Sequence, residues 1–447
     1  MFDLVIKSRN TVMPDGVKMA YVLIKDGLIA DVVSESTIEA GPDVIDIGDN
    51  MLLPGLIDPH VHINEPGRTD WEGFDTATKA AIAGGITTLA DMPLNASPVT
   101  VTVPAFEVKL AAAKNQLHAN CGFWGGIVPG NENNIGGLMS RGVLGFKAFL
   151  THSGIDDFPN VTETDLHKVM PVMAGFNLPL LVHCELSTPQ QPAPDVFSYQ
   201  DYLASRPADW EDNAIALMIR LCGEYRCPVH IVHLSSAGSI SQIIRAKEQG
   251  LPLTVETAQH YLYFNAEDIP DGKTVFKCAP PIRDKANNQQ LWEALEQGYI
   301  DFVATDHSPA PPNLKELESG NFTKAWGGIS SLQFSLPALW TVARKNHADI
   351  TCLIRWLSEG PARLMGLQNS KGKIAKGYDA DLVVFNPAKT FTVLPEIIFH
   401  KHKITPYLHR ELYGVVEQTY LSGVKVFDNG RFPVSNQGKI VMRNPDE

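Results

Sequence analysis

Two histidines spaced for a metal are the most chemically loaded feature of this chain. In Asp58-Pro59-His60-Val61-His62 the imidazoles stand at i and i+2 directly after an apolar run. In an extended strand that spacing sends both side chains to one face. Three further apolar runs also end in polar residues: Leu181-Val182-His183-Cys184-Glu185, His230-Ile231-Val232-His233-Leu234-Ser235 and Ala304-Thr305-Asp306-His307-Ser308. His60, His62, His183 and His233 with Asp306 make a nitrogen and oxygen ligand set suited to zinc, cobalt, manganese or iron. One strand-end histidine alone is more often a hydrogen-bonded structural group; the argument rests on their joint occurrence at the same end of four runs. His230 points away from His233 and reads as structural, and His118 and His260 are not assigned to metal. Lys147 interrupts a fourth apolar run, Val143 to Leu150. A buried unpaired ammonium is expensive, and a cation would repel two divalent metals. A lysine carboxylated by CO2 is instead an anion able to bridge them. The plainer alternative is a lysine that reaches its head to the surface.

The elements that must position these residues follow from the pattern of apolar runs. Eight short runs are separated by longer helix-compatible segments: Leu52 to Ile57, Gly85 to Met92, Cys121 to Val128, Val143 to Leu150, Leu178 to Cys184, Pro228 to Leu234, Leu251 to Thr257 and Ile300 to Thr305. Near-continuous apolar strands alternating with helices indicate parallel strands buried on both faces. Eight such units over about 250 residues predict a (β/α)8 TIM barrel of the α/β class. The polar strand ends then converge at the barrel mouth, where such barrels carry their chemistry. The segment Ser236 to Lys247 carries Ile240, Ile243 and Ile244 on one face and reads as one connecting helix stopping before Gly250. Both chain ends read as short strands with turns at Asp15-Gly16, Asp26-Gly27 and Asn429-Gly430. The expected organisation is therefore a barrel over 51–375 and a small β-rich accessory domain from 1–50 and 376–447. The loop from Ser308 to Lys324, with three prolines, is long enough to cover the mouth.

Composition narrows the function. With 37 Lys and Arg against 50 Asp and Glu, a formal charge of -13 lacks the basic face that phosphate binding needs. No apolar stretch approaches a membrane span, and the first residues lack a secretory pattern. The six cysteines show no CxxC spacing and read as free thiols of a reducing cytoplasm. The expected partner is a small-molecule substrate, with neither nucleic acid nor membrane.

The segment Asp58-Pro59-His60-Val61-His62-Ile63-Asn64-Glu65-Pro66-Gly67-Arg68 resembles the first-strand signature of the cyclic amidohydrolases, the group of dihydroorotases, hydantoinases (dihydropyrimidinases) and allantoinases. The similarity continues through Gly84-Gly85-Ile86-Thr87-Thr88, Gly145-Phe146-Lys147, His233-Leu234-Ser235-Ser236, Cys278-Ala279-Pro280-Pro281-Ile282-Arg283, Thr305-Asp306-His307-Ser308-Pro309 and Asp379-Ala380-Asp381-Leu382-Val383, covering essentially the whole chain. Trp71-Glu72-Gly73-Phe74, Met92-Pro93-Leu94-Asn95 and Lys324-Ala325-Trp326-Gly327-Gly328-Ile329 are most similar to the allantoinase branch. That branch hydrolyses the cyclic amide of allantoin to allantoate in purine breakdown. The resemblance implies two divalent metal ions, zinc foremost, with His60, His62 and Asp306 on one, His183 and His233 on the other, and Lys147 bridging as its CO2 adduct. It gives Asp306 the catalytic role of carrying a proton from the attacking water to the departing nitrogen. It places Asn64, Arg68, Asn95, His152, Ala279, Gly327 and Gly328 near the substrate, and it implies a homotetramer.

Two departures bear on the substrate. Dihydroorotases of similar pattern carry an arginine two residues after the second histidine, where it holds the substrate carboxylate. Here that position is Asn64, and losing the guanidinium fork disfavours an anionic substrate, unless Arg68 replaces it from the following loop. Ala279 stands where many relatives have a serine that touches the ring. The alternatives carried forward are a hydantoinase or dihydropyrimidinase, a dihydroorotase, and a non-catalytic assembly protein of the same fold. The last is disfavoured because all six metal positions are present.

Overall fold

Gly55 marks where the chain leaves one sheet and enters another. A Cβ there would lie 2.2 Å from Thr87 Oγ1 and 2.9 Å from Asp381 Cβ, so only glycine passes between the two. The structure, a computed structural model, describes residues 2–34, 44–189 and 193–443. The run expected as one strand from Leu52 to Ile57 is two strands, split by this glycine. Met51–Pro54 pairs antiparallel with Leu382–Thr392 and parallel with Leu4–Met13, whereas Leu56–Val61 belongs to the barrel.

The barrel strands are Leu56–Val61, Ile86–Asp91, Asn120–Phe123 continued by Gly125–Gly126, Phe146–Phe149, Leu180–His183, Val229–Ile231, Leu253–Ala258 and Phe302–Ala304. Each pairs in parallel with the next. The ring is closed by a parallel bridge between Val61 and His307, where the His62 amide donates to the His307 carbonyl at 2.8 Å. All eight expected strands are present, and the fold is a (β/α)8 barrel. Helices pack outside it, among them Glu163–Phe176, capped reciprocally by Thr162 and Asp165, and Ala208–Tyr225. The helix expected from Ser236 begins later, at Ile240. A tight turn, Ala237–Ser239, precedes it because the Ser236 hydroxyl takes the Gly238 amide. Ile243 and Ala246 form its buried face.

The two chain ends meet in one sheet of eight strands. Met51–Pro54 is its junction, between Leu4–Met13 from the first end and Leu382–Thr392 from the second. Ile6, Val22, Ile24, Leu52, Leu382 and Val384 fill its own small core. The last described residues leave this sheet. The Cys121 amide donates to Lys439, and Val441 donates back to Cys121, both at 2.9 Å, so the tail lies along the third barrel strand. Among the described residues no helix is long and apolar enough to cross a membrane.

Candidate metal centre and substrate cavity

The site grows from the ends of four barrel strands. His60 lies in the first strand and His62 just beyond it, His183 ends the fifth, and His233 and Asp306 stand two residues past the sixth and eighth. His233 (φ 38°) and Asp306 (φ 44°) adopt left-handed backbone that costs energy for non-glycine residues. Such conformations collect at functional sites because the surrounding structure imposes them. Asp58 helps to impose it. Its buried carboxylate accepts the His60 amide (3.1 Å), the Thr305 amide (3.3 Å) and the Thr305 hydroxyl, and so ties the first strand to the eighth.

Asp306 Oδ1 lies 3.3 Å from His60 Nε2 and 3.5 Å from His62 Nε2. One ligand atom each of His60, His233 and Asp306 lies within 4.8 Å of the others. The His183 and His233 rings meet edge to face at 4.6 Å, and those of His60 and His233 stand 5.4 Å apart. Burial would raise the Asp306 pKa, but the charge on His60, the hydrogen bond to His62 and the charge on His233 outweigh it and hold the carboxyl well below its usual range. Burial also pushes His62 down to about 4 and lowers His183 and His233. The shift favours the uncharged imidazole, the form a metal needs.

The donor set passes a test of fit on its outer contacts. His60 donates through Nδ1 to Glu256, and His183 through Nε2 to Glu185 at 2.7 Å, so each offers its other nitrogen to a metal. Carboxylate-oriented histidines of this kind are the usual support of metal ligands. Glu185 is held in turn by Arg206, and Glu256 also receives His230 Nε2 at 3.1 Å. Lys147 is the remaining candidate. Its amine is fully buried, has no hydrogen-bond partner among the described residues, and sits 5.0 Å from the Phe149 ring centre. Burial lowers it to about 8 against the pull of Glu256, Asp306 and Cys184. An amine in that state is open to carboxylation, and the resulting anion would answer its missing contacts.

A cavity of about 560 Å³ opens over these residues. Of the expected substrate contacts, Asn95, His152, Ala279 and Gly327 line it, and Asn64, Arg68 and Gly328 do not. Asn64 donates to the Pro309 carbonyl at 3.3 Å, and the Gly328 carbonyl accepts from Lys315 at 2.8 Å. Arg68 is spent on the Asn95 carbonyl (3.0 Å) and on the Trp71 ring. The carboxylate fork missing at Asn64 is therefore not replaced by Arg68. Asn95 faces His62 Nδ1 at 3.4 Å. His152 stands at the exposed rim, with Nδ1 accepting the Gly154 amide. The long loop after the eighth strand does wall the cavity, through Ser308, Phe322, Thr323 and Lys324. Buried Lys315 anchors it by donating to the carbonyls of Lys277, Trp326 and Gly328.

Sequence reasoning missed Glu256, although it shows the same signal as Lys147, a charge inside an apolar strand. It also missed Arg206 and Lys277, which line the cavity from loops.

The amidohydrolase family model matches residues 51–426. An allantoinase from Streptomyces avermitilis is 45% identical over 99% of both chains, and one from Arabidopsis thaliana is 45% identical over 98% of this chain and 90% of its own. An allantoinase from Saccharomyces cerevisiae is 44% identical over 85% and 83%. Among solved structures, an L-hydantoinase (dihydropyrimidinase) from Arthrobacter aurescens superposes with a TM-score of 0.94 at 30% identity, over 99% of this chain and 100% of that one. A dihydropyrimidinase from Brevibacillus agri gives 0.88 at 26%, over 99% of each. On this breadth of agreement the chain belongs to the amidohydrolase family.

Proposed function

We propose that this enzyme opens the hydantoin ring of allantoin by hydrolysis to allantoate. The observation that carries the reading is the convergence of His60, His62, His183, His233 and Asp306 on one cavity, with Lys147 buried near Asp306, in a chain about 45% identical to allantoinases along its whole length. His60, His62 and Asp306 would hold one divalent ion, His183 and His233 the second, and Lys147 would join them as a carbamate, formed from amine and CO2 with release of one proton. Zinc is the first choice among ions that accept this set. When bound, such ions supply a water acidic enough to attack near neutral pH and polarise the carbonyl under attack.

The chain's own groups do the rest. Asp306 is ionised and lies against His60 and His62, so it is free to take the proton of the attacking water and return it to the ring nitrogen. That return matters because an amide anion is a poor leaving group. Glu256 and Glu185 fix the His60 and His183 rings, so each presents one defined nitrogen. A substrate without a carboxylate suits a cavity in which Asn64 and Arg68 offer no guanidinium fork. The free cysteines support a reducing compartment such as the cytoplasm, and the resemblance supports a homotetramer.

The test is a substrate panel on the metal-loaded enzyme: allantoin, hydantoin, dihydrouracil and dihydroorotate. Allantoin is expected to be turned over best. Turnover of dihydrouracil without turnover of allantoin would make the chain a dihydropyrimidinase and overturn the reading.

A further inference from the structure

Two cations share one wall of the substrate cavity, and neither is fully accounted for by the protein. Arg206 comes from the loop after the fifth strand and Lys277 from the loop after the seventh, and both are half-buried lining residues. Arg206 spends Nε and Nη2 on Glu185, while Nη1 has no hydrogen bond to the described residues. Lys277 donates one proton to the Ala325 carbonyl at 2.6 Å and pairs with no carboxylate among the described residues. Its Nζ stands over the buried Tyr202 ring, 5.2 Å from the ring centre. That ring stacks on Phe322 at 5.8 Å and 13° and is fixed through its hydroxyl to the Cys278 carbonyl at 2.6 Å.

Free N–H donors that face a cavity are places where a ligand oxygen can take over from water. Burial and the charge of Arg206 push the Lys277 ammonium down to about 8. Glu185 already neutralises Arg206, so these two residues together bring roughly one net charge and several free N–H groups to the cavity. Those features together suit a neutral group with a carbonyl oxygen. The ring-opening residues lie at the floor of the same cavity, so the group in question is an arm of the substrate projecting from the ring.

We propose that Arg206 Nη1 and Lys277 Nζ bind the carbonyl oxygen of a ureido arm on the substrate ring. This rests on the reading of the enzyme as one that opens allantoin, whose ring carries such an arm, and it assigns the residues that separate that substrate from a bare hydantoin.

Lys277 gives the cleaner test, because Arg206 also positions His183 through Glu185. Metal-loaded wild type, Lys277→Met and Lys277→Arg are compared by kcat and KM for allantoin and by competitive Ki for hydantoin and for hydantoin-5-acetic acid. Metal content and melting temperature are read alongside. Losing a charged hydrogen bond to substrate predicts that Lys277→Met raises KM and lowers kcat/KM for allantoin by about tenfold to a hundredfold. The Ki for hydantoin should move less than about twofold, the metal content should hold, and Lys277→Arg should recover most of the loss. Equal losses for allantoin and hydantoin would mean that Lys277 only braces the loop at Ala325, and the proposal would fall. An unchanged KM would also overturn it. So would a Ki for hydantoin-5-acetic acid more than about tenfold below the allantoin KM, which would mean a site for an acid. If wild type turns over other rings and not allantoin, it is the functional reading that has failed, and this subsite with it.

Discussion

A charged side chain inside a buried strand must be answered by something, and Glu256 and Lys147 are two such residues beside the candidate metal histidines. Glu256 is answered within the protein, by His60 and His230. Lys147 has no hydrogen-bond partner among the described residues. The two should therefore fail differently when replaced. Lys147→Ala removes the group that would join the two ions, so elemental analysis should show metal falling from about two ions per chain to one or fewer, with most activity gone. Glu256→Gln leaves every ligand in place but loosens the His60 ring. Titration with a competing chelator should show metal affinity reduced by about tenfold to a hundredfold, with activity recovered in excess metal. A Lys147→Ala protein that keeps both ions and its turnover would remove the case for the carbamate.

At the scale of elements, the second barrel strand shows how a site is held from behind. Asp91 ends that strand, is wholly buried, and pairs with Lys109 of the helix Val103–Ala113; Lys109 also donates to the Met92 carbonyl at 3.0 Å. The other Asp91 oxygen accepts the Ile63 amide at 2.8 Å, one residue past His62. Burial raises the Asp91 pKa against the opposing charge of Lys109. Lys109→Met strands a buried carboxylate and should cost about 3 to 5 kcal/mol in urea unfolding, whereas adding Asp91→Asn should restore most of it. A double variant no more stable than the single one would refute this account. Much of the framework was legible in the sequence, because parallel strands buried on both faces must be apolar, and Leu178 to Cys184 or Pro228 to Leu234 can be little else. The six candidate metal positions stood out for the same reason, as polar interruptions of apolar runs. Less visible were features set by tertiary crowding, such as the break at Gly55 forced by Thr87 and Asp381. Arg206 and Lys277 were invisible because a loop cation reads the same whether it faces solvent or a cavity.

Across the whole molecule, the two chain ends brace the barrel as well as each other, and the brace is sensitive to acid. His400, from the second end, packs 5.6 Å from His307 at the barrel mouth, and His307 Nε2 lies 3.5 Å from Glu72. Burial, reinforced by the charge of His307, holds His400 down to about 3. Burial would raise Glu72, but its hydrogen bond and attraction to His307 leave it below its usual value. The signs agree. A histidine whose pKa is depressed by folding takes up a proton only on unfolding, so its contribution is lost as pH falls from about 6.5 towards 3. A carboxylate with a depressed pKa contributes above its unfolded value of about 4.5, and that contribution is lost below it. Stability should therefore decline steadily from about pH 6.5 downward, and more steeply below about 4.5. Metal release would add its own acid loss, so the comparison to make is between wild type and His400→Leu, both metal-loaded. The variant cannot take up the proton and should show a shallower decline in melting temperature between pH 6.5 and 4.5. Parallel curves would place the acid sensitivity elsewhere, and the metal ligands would then be its source.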